Sequence, residues 1–312
     1  MFKRTLRPIL LLAAAALALG AHTGAFAQQA QQAQQAKPAK KSKAAGTPDF
    51  TKEGQPNLLS HAAVVFDPVT GKELYSKNAE APMPIASITK IMTAMVVLDA
   101  KLGMDDPVII DAADIDTIKG SRSRLPVGSA FRREDLMRLA LMASDNRAAS
   151  ALGRSYPGGP TAFVDAMNVK ARLLAMNSTR FVDPTGLAPG NVSSPQDLAR
   201  MVAEASKYPQ IREFSTTPEL HVTLPNAKKA MGFSNTNQLV KSQSWDIGLS
   251  KTGYINEAGK CLVMQATIAN NPVVIVLLDS WGRLTRIGDA NRIKKWIETN
   301  KHLVAAQKAP AA

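Results

Sequence analysis

The stretch LSKTGYINEAGKCLVMQATIANNPVVIVLLD, residues 249–279, decides the fold. It contains three apolar segments of strand length, 249–255, 260–268 and 273–279, joined by Asn256-Glu257-Ala258-Gly259 and Asn270-Asn271-Pro272. Runs rich in Val, Ile and Leu, bounded by Gly, Asn and Pro, read as successive strands. Residues 283–299 follow with the apolar spacing of an amphipathic helix. Cys261, the single cysteine, lies in the apolar run Cys261-Leu262-Val263-Met264. It has no partner for an internal disulfide and reads as a buried structural thiol rather than a nucleophile.

Outward from this block, residues 61–67 form another apolar run that ends at Asp67-Pro68. Thr70-Gly71 makes a turn and residues 72–76 alternate, so the pair predicts a β-hairpin. After Pro82 and Pro84, residues 87–100 place Ile88, Ile91, Met92, Met95 and Val96 at helical spacing. Further helices are expected over 133–143, 162–175 and 196–205, separated by irregular stretches such as Ser121-Arg122-Ser123-Arg124. Strands from both chain ends with helices between them predict an α+β fold: an antiparallel sheet flanked by helices, with a helical subdomain inserted.

The front of the chain reads as an export leader over residues 1–27. Lys3, Arg4 and Arg7 precede an apolar run over 9–19, and Ala25-Phe26-Ala27 offers a cleavage site. The apolar run is shorter than the ~20 residues a bilayer requires. Export across the inner membrane into the periplasm is expected, with a mature chain from Gln28. Residues 28–48, rich in Gln, Ala and Lys, have little to bury and predict a disordered linker. One catalytic-sized domain is expected over 49–302, with a flexible tail over 303–312. The formal charge of +13 falls to +6 for this body once the three leader and four linker positives are set aside. That excess favours an anionic wall or membrane surface, and equally a merely solvated basic face. No nucleic-acid motif is present, so nucleic acid is not an expected partner.

Three short motifs carry chemistry. In Ser87-Ile88-Thr89-Lys90 the serine and lysine lie one helical turn apart, so the amine reaches the hydroxyl. Serine needs a base to become a nucleophile, and lysine serves only if burial or a nearby positive charge lowers its pKa. Serine at a helix start is also an ordinary cap. Ser144-Asp145-Asn146 follows the run 136–143 and reads as a loop that can aim a hydroxyl and a carboxamide into one cleft, or as capping residues. Lys251-Thr252-Gly253 heads the first closing strand. There a lysine can hold an anion and lower the pKa of a neighbouring lysine, Thr252 adds a hydroxyl, and Gly253 leaves room for a peptide along the strand edge. The alternative for this motif is a plain edge strand guarded by a lysine. Each motif alone is weak, but in this order they form the set that marks penicillin-binding proteins and class A β-lactamases.

Over residues 58–301 the chain resembles the low-molecular-mass serine D-alanyl-D-alanine peptidases, most closely their D,D-endopeptidases. The likeness is carried by residues 84–90, 141–149, 156–159, 181–187 (Phe181-Val182-Asp183-Pro184-Thr185-Gly186-Leu187), 235–237 (Asn235-Thr236-Asn237) and 249–253. The resemblance implies a β-lactamase/transpeptidase-like fold and an acyl-enzyme mechanism on peptidoglycan, with β-lactams as covalent inhibitors. It implies Ser87 as nucleophile, Lys90 as its proton acceptor and Ser144 as a proton relay. Asn146 would orient substrate, Lys251 and Thr252 would bind its carboxylate, and the backbone N–H groups of Ser87 and Tyr254 would form the oxyanion hole. No cofactor or metal is implied.

Within that group, a class A β-lactamase requires a glutamate where this chain has none, between Asn146 and Glu204. Membrane-bound carboxypeptidases carry an extra β-domain and an amphipathic terminal helix, and Val304-Ala305-Ala306-Gln307-Lys308-Ala309-Pro310 resembles neither. The endopeptidase reading is favoured, with carboxypeptidase as the close alternative and a non-catalytic murein-binding scaffold behind both. A histidine-based triad is not expected, because His61 and His221 read as surface positions.

Overall fold

Strands from both ends of the domain meet in one sheet. The computed structural model describes residues 48–223, 230–282 and 284–304; the expected leader and most of the expected linker lie outside them. The hairpin consists of β1 (Ala62–Phe66) and β2 (Glu73–Lys77). Three short antiparallel pairs follow in the middle of the chain. They are β3 (Met83–Pro84) with β6 (Val192–Ser193), β4 (Pro107–Ile109) with β5 (Ala130–Arg132), and β7 (Glu219–Val222) with β8 (Met231–Ser234). The closing strands are β9 (Asp246–Ile255), β10 (Gly259–Ile268) and β11 (Asn271–Ser280). They extend the sheet in the order β2-β1-β11-β10-β9. Ala62 pairs with Leu278 and Phe66 with Val274, which joins the two chain ends.

The closing strands are continuous apolar runs because both faces of the sheet are covered. One face presents Ala62, Val64, Leu249, Val263, Val276 and Leu278 to the helical part of the molecule. The other presents Val65, Leu262, Met264 and Ile275 to Ile293, Trp296 and Ile297 of α7 (Thr285–Thr299). The remaining helices are α1 (Thr89–Asp99), α2 (Arg133–Met142), α3 (Asn146–Arg154), α4 (Gly159–Leu173), α5 (Pro195–Ala205) and α6 (Pro209–Thr216). In α1 every residue from Thr89 to Val97 is buried. A helix that is apolar nearly all round belongs in the middle of a protein, and here that buries Lys90 with it.

Several expectations change. Ser87 lies in a 3-10 turn, Ala86–Ile88, ahead of the α-helix, and the turn has no side-chain cap. The serine hydroxyl is therefore not spent on capping. Of the two readings of Ser144-Asp145-Asn146, the capping one holds for Asp145, whose carboxylate accepts from Ala148 N at 2.9 Å, and Asn146 is the first residue of α3 rather than a loop residue. Val304, expected in the tail, is buried beneath the sheet and α7; residues 305–312 lie outside the described residues. Cys261 is buried as expected, and burial raises its thiol to about 11, which leaves it inert at neutral pH. His61 and His221 are exposed.

Candidate active site

The site forms where the turn before α1 meets the edge strand β9. Ala86 holds a left-handed φ of 48°, which turns the chain into the 3-10 segment and leaves Ser87 half-buried. Gly253 of β9 lies directly behind this turn. A Cβ at Gly253 would fall 2.9 Å from Ile85 O and 3.2 Å from Ser87 N. The missing side chain thus makes room for the serine turn, a constraint that the sequence reading of Gly253 did not include. A Gly253→Ala protein is expected to be acylated by a fluorescent penicillin about tenfold more slowly, because small displacements of a reacting group cost rate steeply. A rate within twofold of the parent protein would refute the close-approach argument.

Lys90 Nζ donates to Ser87 Oγ at 2.8 Å, to Asn146 Oδ1 at 2.6 Å and to Thr185 O at 2.6 Å. Lys90 is 1% exposed. Burial lowers its pKa from 10.5 to about 7, against the opposing pull of Asp183, Asp145 and Asp116. Both protonation states are therefore populated near neutrality. In the neutral amine, the two N–H bonds are taken by Asn146 Oδ1 and Thr185 O, which accept but do not donate. The lone pair is left facing the Ser87 hydroxyl. Asn146 is fixed in this sense because its Nδ2 donates to Ser121 Oγ at 2.8 Å.

A second buried amine serves a second hydroxyl. Lys251, also 1% exposed, donates to Ser144 Oγ and to Thr252 O, both at 2.8 Å. Its pKa is driven far down by burial first, then by the positive charges of Lys90 and Arg286. Of the two causes that the sequence allowed for a lowered lysine pKa, burial leads for both amines. Ser144 has a left-handed φ of 59°, which presents its hydroxyl between α2 and α3. Thr252 Oγ1 donates to Thr236 Oγ1 at 2.7 Å. Tyr254 is exposed, with its hydroxyl on Asn256 at 2.9 Å and Lys260 Nζ 4.0 Å from its ring centre.

Ser87, Lys90, Asn146, Ser144, Lys251 and Thr252 are thus linked through hydrogen bonds within two serine–lysine pairs, with Gly253 packed behind the first. The motif reading did not single out Thr185, Ser121 or Thr236. Two of these lie in the stretches 181–187 and 235–237, where the likeness to relatives was the available signal; Ser121 carried none.

A serine activated by a buried lysine, beside a sheet edge that bears a second lysine, defines an acyl-transfer enzyme of the serine–lysine class. The family model described as D-alanyl-D-alanine carboxypeptidase matches residues 49–281, and the chain belongs to that family. It is 49% identical to the D-alanyl-D-alanine endopeptidase of Pseudomonas aeruginosa over 79% of this chain and 80% of the relative. It is 46% identical to the D-alanyl-D-alanine endopeptidase of Escherichia coli over 82% of this chain and 83% of the relative. Among solved structures, the Streptomyces K15 DD-transpeptidase superposes with a TM-score of 0.73 at 30% identity, covering 77% of this chain and 97% of that one. The α+β, transpeptidase-like fold expected from the sequence is the fold found.

Proposed function

We propose that this protein is a serine D-alanyl-D-alanine endopeptidase that cuts the peptide crosslinks of peptidoglycan. The observation that carries the reading is the two serine–amine pairs, Lys90 on Ser87 and Lys251 on Ser144, each amine buried and held below its usual pKa. In acylation Ser87 Oγ bonds to the carbonyl carbon of the donor stem's D-alanine while its proton passes to Lys90 Nζ. The backbone N–H groups of Ser87 and Tyr254 take the oxyanion. The C–N bond breaks as the proton held on Lys90 passes by way of Ser144 to the leaving amine of the acceptor stem, which returns Lys90 to the neutral amine. Water then adds to the acyl carbon, gives a proton to Lys90 and releases the donor stem, and Ser87 regains its proton. Lys251 and Thr252 hold the carboxylate beside the scissile bond, whose arrival favours the charged form of Lys251. A β-lactam enters as the acyl donor and remains on Ser87.

The same chemistry serves a carboxypeptidase, the description the family model bears. The two relatives at 46% and 49% identity are both endopeptidases, which favours the crosslink. Incubation with purified crosslinked muropeptide dimers and uncrosslinked pentapeptides separates the two. Dimers falling to monomers is the expected result; loss of terminal D-alanine alone, with dimers intact, would overturn it. Export to the periplasm behind a cleaved leader, and attraction of the basic body to an anionic wall or membrane surface, complete the proposal.

A further inference from the structure

Lys90 is oriented in part by a backbone carbonyl, and that carbonyl is itself held in place. The Thr185 oxygen reaches Lys90 Nζ at 2.6 Å, and the loop that carries it is wound around one carboxylate. Asp183 Oδ1 accepts from Thr185 N at 2.6 Å, Thr185 Oγ1 at 2.5 Å and Gly186 N at 2.8 Å. Asp183 Oδ2 accepts from Ala188 N and Asn191 Nδ2, both at 3.0 Å. Asn191 is fully buried and its Oδ1 accepts from Val182 N at 2.6 Å. The loop is also fitted against the nucleophile: Gly186 has φ +82°, and a Cβ there would fall 1.9 Å from Ala86 O. One loop therefore touches both the turn that carries Ser87 and the amine that activates it.

We infer that Asp183 is a positioning residue for acylation, holding the Thr185 carbonyl on Lys90 and the loop against the Ser87 turn. The inference rests on the acyl-enzyme reading above. Asp183 acts on Lys90 in two ways, through the carbonyl and through its own charge. The charged groups around Lys90 come from several elements: Asp183 from this loop, Asp145 from the head of α3, Asp116 from the segment before β5, and Lys251 from β9. Among the carboxylates, Asp183 opposes the effect of burial most strongly. With its charge removed, the amine loses its proton at lower pH, so the acid limb of the acylation profile moves down.

The test is the acylation rate of the whole mature protein by a fluorescent penicillin from pH 5 to 9, in the parent protein, Asp183→Asn and Asp183→Glu. Asp183→Asn removes the charge and turns an N–H group toward the donors on Ala188 and Asn191. Its plateau is expected to fall, and at pH 6 it should retain a two- to threefold larger share of that plateau than the parent, about what one lost neighbouring charge gives. Asp183→Glu keeps the charge but displaces the loop. Its plateau should fall about tenfold or more with the limb unmoved. An unmoved limb in Asp183→Asn, or a parental plateau in Asp183→Glu, would overturn the inference. If Asp183→Asn does not fold, Asp183→Glu alone decides. A parent protein that takes no label at all would count against the acyl-enzyme reading instead.

Discussion

Ser87→Ala takes up no covalent penicillin label, and its turnover of crosslinked dimers falls by about 10⁴-fold or more. The size follows from the role: alanine offers no atom to carry the acyl group, and loss of a nucleophile in comparable serine enzymes costs this much or more. The loss is chemical rather than structural. Among the described residues Ser87 Oγ makes one side-chain hydrogen bond, accepting from Lys90 Nζ, and the hydroxyl does not cap the helix. Removing it costs about 1 kcal/mol, which for a domain of this size lowers melting by about 2–4 °C. Intact-mass spectrometry after penicillin treatment checks the label, and a thermal melt checks the fold. A labelled Ser87→Ala protein would transfer the nucleophile to another residue, with Ser144 on Lys251 the next serine–amine pair to examine.

Strands and nucleophile were legible in the sequence for different reasons. Residues 249–279 show as strands because a sheet covered on both faces selects Val, Ile and Leu at nearly every position, and turns interrupt the run cleanly. Helix α3, Asn-Arg-Ala-Ala-Ser-Ala-Leu-Gly-Arg, has small buried faces at Ala148, Ala149 and Gly153 and little large apolar periodicity. It was hidden for that reason, and Asn146 looked like a loop residue. Helix α6 is eight residues long and shows only Ile211 and Phe214 as large buried side chains, too few to establish a period. Ser87, Lys90 and Lys251 were legible because side-chain chemistry is written in residue type. The Thr185 carbonyl was not, since every residue has one and only the fold decides where it points. The packing of Gly253 against the Ser87 turn was hidden for a related reason: the sequence shows that a side chain is absent, whereas its neighbours show which group lies close.

The second large effect belongs to Lys90→Met, which keeps the length of the side chain and removes the amine. Acylation of this protein is expected to slow by about 10²–10⁴-fold, the usual contribution of a positioned general base. Its pH profile distinguishes loss of the base from general damage. In the parent protein the lysine acts as the neutral amine, and its pKa is about 7. Below that value the active fraction drops tenfold for each pH unit; above it the rate levels off. Lys90→Met has no such group, so its residual rate should show no inflection near 7. The same shift bears on stability with a definite sign. The folded pKa lies below the ordinary lysine value of 10.5, so between about 7 and 10.5 the unfolded chain binds more protons than the folded one. Stability contributed by this group therefore rises with pH across that window, and the burial penalty is fully present below 7. A rate inflection near 7 that survives in Lys90→Met would assign the titration to another group and leave the buried amine without its proposed role as base.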